Sequence, residues 1–112
     1  ARSESEIKQF GDALLPAVTA HLAHGFDANL VEAKSQIGSG ALPIDLLPSW
    51  AIAISARGTP HPNEAIMSLA TRLRQIDTPI LGRITGSRLL LDLRTLYQPE
   101  LLLAGLKTVN AG

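Results

Sequence analysis

The sequence predicts an α+β fold in which about three helices cover a small antiparallel or mixed sheet. Apolar residues recur at helical spacing in three separate segments of the chain. Residues 50–55 alternate large and small side chains with the two-residue period of a strand. The dipeptide Gly86-Ser87 separates two short β-like runs, as in a hairpin. Strands joined by tight turns favour antiparallel pairing, and amphipathic helices bury their apolar stripes against such a sheet.

Length and composition indicate one domain spanning residues 1–112 with an aliphatic core. Hydrophobic residues make up 46% of the chain and aromatic residues only 4%. Ten basic and ten acidic residues create no overall field for a polyanion, so only a local basic patch could bind one. The chain has no cysteine, which fits a cytoplasmic protein, and its apolar runs are too short to cross a membrane.

The first segment predicts a helix. Ser3 and Glu6 have the spacing of a capping box, and Gly25 is expected to end the helix at the C′ position. Pro16 lies inside the pattern, so we expect a kink near residues 12–15 or a break into two helices. The apolar stripe consists of Ile7, Phe10, Leu14, Val18 and Leu22.

Two strands are predicted next, with a glycine-rich loop between them. The first covers Phe26–Ala33, and the second covers Trp50–Ser55 with its large side chains on the core. The glycines and prolines between them predict no regular structure from about residue 37 to residue 48.

A turn at Arg57–Pro62 leads into a second helix, which we expect Asn63 to cap. Asp77-Thr78-Pro79 ends this helix, because the residue before a proline avoids the helical conformation. Arg72 and Arg74 should point to solvent. The core face is predicted to consist of Ile66, Leu69, Ala70, Leu73 and Ile76.

A hairpin and a last helix complete the predicted fold. Ile80–Thr85 and Arg88–Arg94 are the two strands, and Gly86 at the first loop position predicts a type II′ turn. Pro99 and Glu100 suit the first turn of a helix that carries Leu101, Leu102 and Leu106.

Few residues suggest chemistry on their own. His21 and His24 are one helical turn apart but lack a third ligand, so surface or partly buried histidines are expected instead of a metal site. Gly38-Ser39-Gly40 lacks the nucleophile-elbow and P-loop patterns and is interpreted as a loop that lets backbone approach another molecule, with a plain surface turn as the alternative. The hairpin arginines could bind an anion side by side, with a neutralising Asp92–Arg94 surface pair as the alternative; they are Arg83, Arg88 and Arg94.

Four segments together resemble the C-terminal part of the bacterial selenocysteine synthases, the L-seryl-tRNA(Sec) selenium transferases. They are residues 35–43, 47–49, 79–84 and 88–94, which occur in the same order and spacing. The resemblance implies the small C-terminal domain of a type I pyridoxal-phosphate enzyme, with the tRNA-binding module and the large cofactor domain lying upstream of this segment.

The resemblance also implies a reaction. The full-length enzyme converts seryl-tRNA(Sec) to selenocysteyl-tRNA(Sec) with selenophosphate, using pyridoxal phosphate as electron sink. It implies a cytoplasmic homo-oligomer whose small domain contacts the upstream large domain. Lys8, Lys34 and Lys107 match no Schiff-base motif, so this segment alone is expected to hold no cofactor and to be inactive.

By the same resemblance, part of the glycine-rich loop faces the substrate, and Arg83 or Arg94 meets an anion. The loop residues are Ser35, Gln36, Gly38, Ser39 and Gly40. Two alternatives stay open: the small domain of a related pyridoxal-phosphate enzyme acting on a free amino acid or amino sugar, and a non-enzymatic interaction domain.

Overall fold

The α+β fold class is confirmed by a computed structural model, which describes residues 2–37, 45–96 and 98–111. Four strands form one antiparallel sheet in the order β1-β2-β4-β3. The elements are α1 (Glu4–His21), β1 (Phe26–Ile37), β2 (Asp45–Ala56), α2 (Pro62–Arg74), β3 (Arg83–Thr85), β4 (Arg88–Asp92) and α3 (Pro99–Ala111). No helix in these ranges is long and apolar enough to span a membrane.

The capping box that begins α1 is confirmed. The hydroxyl of Ser3 accepts a hydrogen bond from the backbone N–H of Glu6, and the Glu6 carboxylate accepts one from the backbone N–H of Ser3, each over 3.2 Å. The helix continues unbroken through Pro16, whose ring lies on the exposed face. The alternative of a break into two helices is therefore wrong, while the predicted kink is not tested.

The expected role of Gly25 at the end of α1 is wrong. The helix ends at His21, with Leu22 as an extended C-cap. Gly25 has a φ of 96° and lies in the turn before β1, where its carbonyl accepts a hydrogen bond from the backbone of Arg57 over 2.8 Å. Its conformational freedom therefore serves the strand connection and not the helix end.

Strands β1 and β2 are both longer than predicted. Their ladder continues to the pair Ile37–Asp45, so the expectation of irregular structure up to residue 48 is wrong for residues 45–48. Pro48 is tolerated in β2 because β4 ends opposite Ala51, which leaves Pro48 with a neighbouring strand on one side only. The rest of the predicted glycine loop, residues 38–44, lies outside the described residues.

The two faces of the sheet differ. The inner face packs against all three helices, and the large side chains of the predicted β2 pattern lie there, as expected. The opposite surface, called the outer face below, carries a second apolar cluster to which only strand residues contribute. The main core includes Ile52, Ile54, Leu89 and Leu91, whereas the outer cluster consists of Ala51, Ala53 and Leu90 with Val31 and Ala33 beside them.

Helix α2 begins earlier than predicted. His61 is its N-cap and Pro62 occupies the first turn, so the predicted cap at Asn63 is wrong. The fixed φ of proline suits the first helical position, which replaces a side-chain cap. The helix ends at Arg74, so Ile76 packs against the core from beyond the helix, while the rest of the predicted core face is confirmed.

The hairpin forms with shorter strands than predicted and with a different turn. Gly86 has a φ of 56° and Ser87 a φ of 62°. Positive φ at both positions is the type I′ pattern, so the type II′ prediction is wrong. The last helix begins at Pro99 as predicted, with Leu102 and Leu106 buried and Leu101 39% exposed.

Candidate functional site

Two residues assigned to the substrate-facing loop lie in a regular strand. Ser35 pairs with Leu47, and Gln36 pairs with Leu46, near the far end of the β1–β2 ladder. Gly38, Ser39 and Gly40 fall outside the described residues, so their approach to a substrate stays a prediction.

The guanidinium of Arg94 is engaged within the protein. It donates to the carbonyl oxygen of Arg2 over 2.7 Å and to that of Pro48 over 2.5 Å. Its Nε atom is buried and has no hydrogen-bond partner among the described residues. An anion contact at Arg94 would have to compete with these carbonyls.

The predicted Asp92–Arg94 surface pair is wrong. The Asp92 carboxylate accepts hydrogen bonds from the Ser49 hydroxyl over 2.9 Å and from the backbone N–H of Arg94 over 3.0 Å. Strand β4 ends at Asp92, so the alternation that would place the two side chains on one face stops before Arg94.

Arg83 and Arg88 lie together on the outer face. Arg83 pairs with Leu90, and Arg88 pairs with Thr85, so all four residues share the face on which Leu90 contacts the small outer cluster. Both arginines are exposed, and neither has a hydrogen-bond or ion-pair acceptor within the described ranges. The sequence grouped Arg94 with them, but the fold separates it.

A cleft of about 480 Å³ lies beside Arg83, and we call it the hairpin cleft. It brings Lys34, from the opposite edge strand β1, to the same cavity as Arg83 of β3. The sequence alone could not predict that Lys34 and Arg83 line one cleft, because their proximity depends on the order of the strands in the sheet. The lining residues are Lys34, Leu81, Gly82, Arg83, Leu90, Asp92 and Thr95.

A second cleft of about 500 Å³ adjoins the first and is more apolar. Leu81, Asp92 and Thr95 line both, and the second continues to Leu101 of α3. Leu81 is 72% exposed and lies where the two clefts meet.

The histidines show no metal site. The Nδ1 atom of His21 lies 2.8 Å from the carbonyl oxygen of Ala17, and His24 is exposed. No group of three or more metal-binding side chains occurs in the part of the chain that the structure describes.

Comparison with known proteins decides the family. The model of the L-seryl-tRNA selenium transferases matches residues 1–97. The chain belongs to that family. It is 40% identical over 105 residues to the L-seryl-tRNA(Sec) selenium transferase of Photorhabdus laumondii subsp. laumondii, covering 94% of this chain and 22% of that protein.

Other relatives carry the same name. The Klebsiella pneumoniae (strain 342) protein is 42% identical over 97 residues, 85% of this chain and 20% of its own length. The Proteus mirabilis protein is 37% identical over 105 residues, 94% of this chain and 22% of its own. This chain of the selenium transferase family therefore spans about a fifth of the length of these relatives.

The described lysines do not fit a cofactor Schiff base. A lysine that holds pyridoxal phosphate needs an enclosed pocket that makes its amine reactive. The Lys8 amine instead lies 3.1 Å from the Asp12 carboxylate and 5.3 Å from the ring centroid of Trp50, with nearly half of its side chain exposed. Lys34 and Lys107 are exposed as well.

Proposed function

We propose that this chain is the C-terminal small domain of an L-seryl-tRNA(Sec) selenium transferase. The longer protein would convert seryl-tRNA(Sec) to selenocysteyl-tRNA(Sec) with selenophosphate. The observation that carries the proposal is 40% identity over 94% of the chain to a relative of that name. Because the chain covers only 22% of that relative, the activity is assigned to the longer protein and not to this segment.

We place the pyridoxal phosphate of this enzyme outside the present chain. When bound, the cofactor supplies an electron sink. Lys8, Lys34 and Lys107 are exposed and offer no pocket for the cofactor, so we propose that this chain contributes to the enzyme through the surfaces that contact the large domain and the substrate. The upstream large domain is its proposed contact, and the family resemblance supports a cytoplasmic, homo-oligomeric enzyme.

Two parts of the chain are proposed to meet substrate. The first is the end of the β1–β2 hairpin, where Ser35, Gln36, Gly38, Ser39 and Gly40 would let backbone approach the aminoacyl group. The second is Arg83, proposed as an anion contact because its exposed guanidinium has no acceptor among the described residues. A serine esterified to tRNA has no free carboxylate, so the anion would be selenophosphate or a tRNA phosphate.

Single-turnover conversion of seryl-tRNA(Sec) by the full-length protein tests the proposed function. A folded, cofactor-loaded protein that makes no selenocysteyl-tRNA(Sec) would refute it. Gly38→Val and Gly40→Val test the loop separately, with Ser5→Val at an exposed helical position as the control. We expect both glycine variants to lose turnover while thermal unfolding changes little. Full activity in both would remove the loop from the site.

A further inference from the structure

We propose that the outer face of the sheet binds phosphate groups of an RNA backbone through Arg83 and Arg88. This inference rests on the proposed function, since it assigns a positioning role for the RNA part of the substrate to residues of this chain.

The arginines of the chain differ in whether they already have acceptors. Five of the seven arginines donate to acceptors within the protein, whereas Arg83 and Arg88 donate to none in the described part of the chain. Both of these lie on the outer face of one hairpin. The five donor–acceptor pairs are Arg2 to Leu93, Arg57 to Asp27, Arg72 to Val109, Arg74 to Thr71 and Arg94 to Pro48.

Arg83 and Arg88 are spaced so that their guanidinium groups can act together. Arg83 pairs with Leu90, and Arg88 is two residues before Leu90 on the same strand, so the two arginines are diagonal neighbours. Diagonal positions across an antiparallel pair are about 7–8 Å apart. Arginine side chains at that separation can donate to one phosphate or to two successive phosphates with charge-assisted hydrogen bonds.

The outer face around the two arginines is shallow. Arg83 lines the hairpin cleft together with Leu90, which lies on the same face. The neighbouring residues Ala51 and Ala53 are small and do not rise above the sheet. A backbone with bulky phosphates can therefore lie close to the strands.

The acidic side chains of this face do not cancel its positive charge. Asp27 forms an ion pair with Arg57. The carboxylate of Asp92 accepts hydrogen bonds from Ser49 and from the Arg94 backbone, and its single negative charge is smaller than the combined positive charge of Arg83 and Arg88. The zero net charge of the chain therefore conceals a local excess of cations on this face.

RNA backbone fits this surface better than a small anion or a base. Exposed cations gain affinity for a polyanion by releasing its counterions, whereas a small anion depends on enclosed donors. Base recognition in single-stranded RNA uses aromatic stacking, but the aromatic side chains among the described residues, Phe10, Phe26 and Trp50, pack against the main core on the inner side. The expected binding is thus independent of sequence and sensitive to salt.

Fluorescence anisotropy with a labelled tRNA transcript tests the proposal on the 112-residue chain, with circular dichroism to verify folding. We expect Arg83→Gln and Arg88→Gln each to weaken binding about three- to tenfold and to lower the slope of log affinity against log salt by about 0.7–0.9. Lys107→Gln is the matched control, since it removes an exposed charge from α3. Arg83→Lys should retain part of the affinity and replaces any glutamine variant that fails to fold.

Three results would overturn the proposal. The first is the absence of tRNA binding by the folded chain. The second is an equal loss in Lys107→Gln, which would indicate diffuse attraction. The third is saturation by inorganic phosphate that depends on Arg83 without any binding of tRNA, which would indicate a small-anion site.

The full-length enzyme separates this proposal from the proposed function. There, Arg83→Gln should raise KM for seryl-tRNA(Sec) about three- to tenfold and leave kcat unchanged, as expected for uniform binding. An active enzyme with unchanged KM would refute the RNA contact alone, whereas an inactive wild-type enzyme would refute the function.

Discussion

The guanidinium of Arg94 donates to the carbonyl oxygen of Arg2 over 2.7 Å, and the guanidinium of Arg2 donates to the carbonyl oxygen of Arg94 over 3.4 Å. Arg2 also donates to Leu93 over 2.8 Å and lies 5.1 Å from the ring centroid of Phe10. This reciprocal arrangement fastens the residues before α1 to the connection between β4 and α3. It makes Arg94 a structural residue.

Arg94→Ala should therefore lower the free energy of unfolding by about 1–3 kcal/mol, because it leaves two carbonyls without their charged donor. Chemical denaturation measures the loss. Arg74→Ala is the control, since Arg74 is exposed and, within the described ranges, donates only to Thr71 on its own helix. An Arg94→Ala variant as stable as wild type, with weaker tRNA binding, would instead make Arg94 a ligand contact.

Leu91→Ala should lower the free energy of unfolding by about 2–5 kcal/mol, because Leu91 is 3% exposed and belongs to the main core. Leu81→Ala is the matched control: Leu81 is 72% exposed, so its truncation should change stability by less than about 0.5 kcal/mol. Thermal and urea unfolding give both values. Equal losses in the two variants would contradict the burial that the structure shows.

The sequence predicted most accurately what neighbouring residues determine. The capping box of α1 depends on Ser3 and Glu6 alone, and the centre of β2 shows its period within six residues. The lengths of β1 and β2 were underestimated because pairing is long-range: Ile37 is in a strand since Asp45 lies opposite it. Local composition, rich in glycine and proline, carried no sign of that pairing.

The candidate site was predictable only in part for the same reason. The hairpin identified Arg83 and Arg88 as neighbours, which the register confirms. The engagement of Arg94 depends on Arg2, 92 residues earlier, and Lys34 reaches the hairpin cleft only through the strand order. Contacts between such distant positions leave no periodic signal in the sequence.

Ser87→Gly should raise the free energy of unfolding by about 0.5–1 kcal/mol. Ser87 has a φ of 62°, a left-handed conformation that costs a side chain about 1–2 kcal/mol but costs glycine little beyond its chain entropy. Ser68→Gly, at an exposed position of α2, is the control and should lower stability by about 0.5–1 kcal/mol. Destabilisation by Ser87→Gly would contradict the type I′ turn.

Part of the stability of α1 should be lost in acid. The backbone N–H of Ser3 donates to the Glu6 carboxylate. This hydrogen bond, and to a smaller extent the nearby Ser3 hydroxyl, lowers the pKa of the Glu6 carboxyl below its usual value. A lowered pKa means that the ionised carboxylate contributes stability above about pH 4.3 and loses it as the pH falls through the folded-state value. Urea unfolding from pH 7 to pH 3 should show wild type and Glu6→Gln converging; parallel curves would contradict this.

The 112-residue chain should form no specific adduct with pyridoxal phosphate. A stable Schiff base needs an amine in an enclosed pocket, whereas Lys8, Lys34 and Lys107 are all exposed. Absorbance titration should therefore show only a weak visible band that rises without saturation. Single alanine replacements of the three lysines serve as mutual controls, and each should reduce that band to a similar extent. A saturable band that disappears in only one variant would place a cofactor lysine in this chain and contradict its assignment as a small domain without the cofactor.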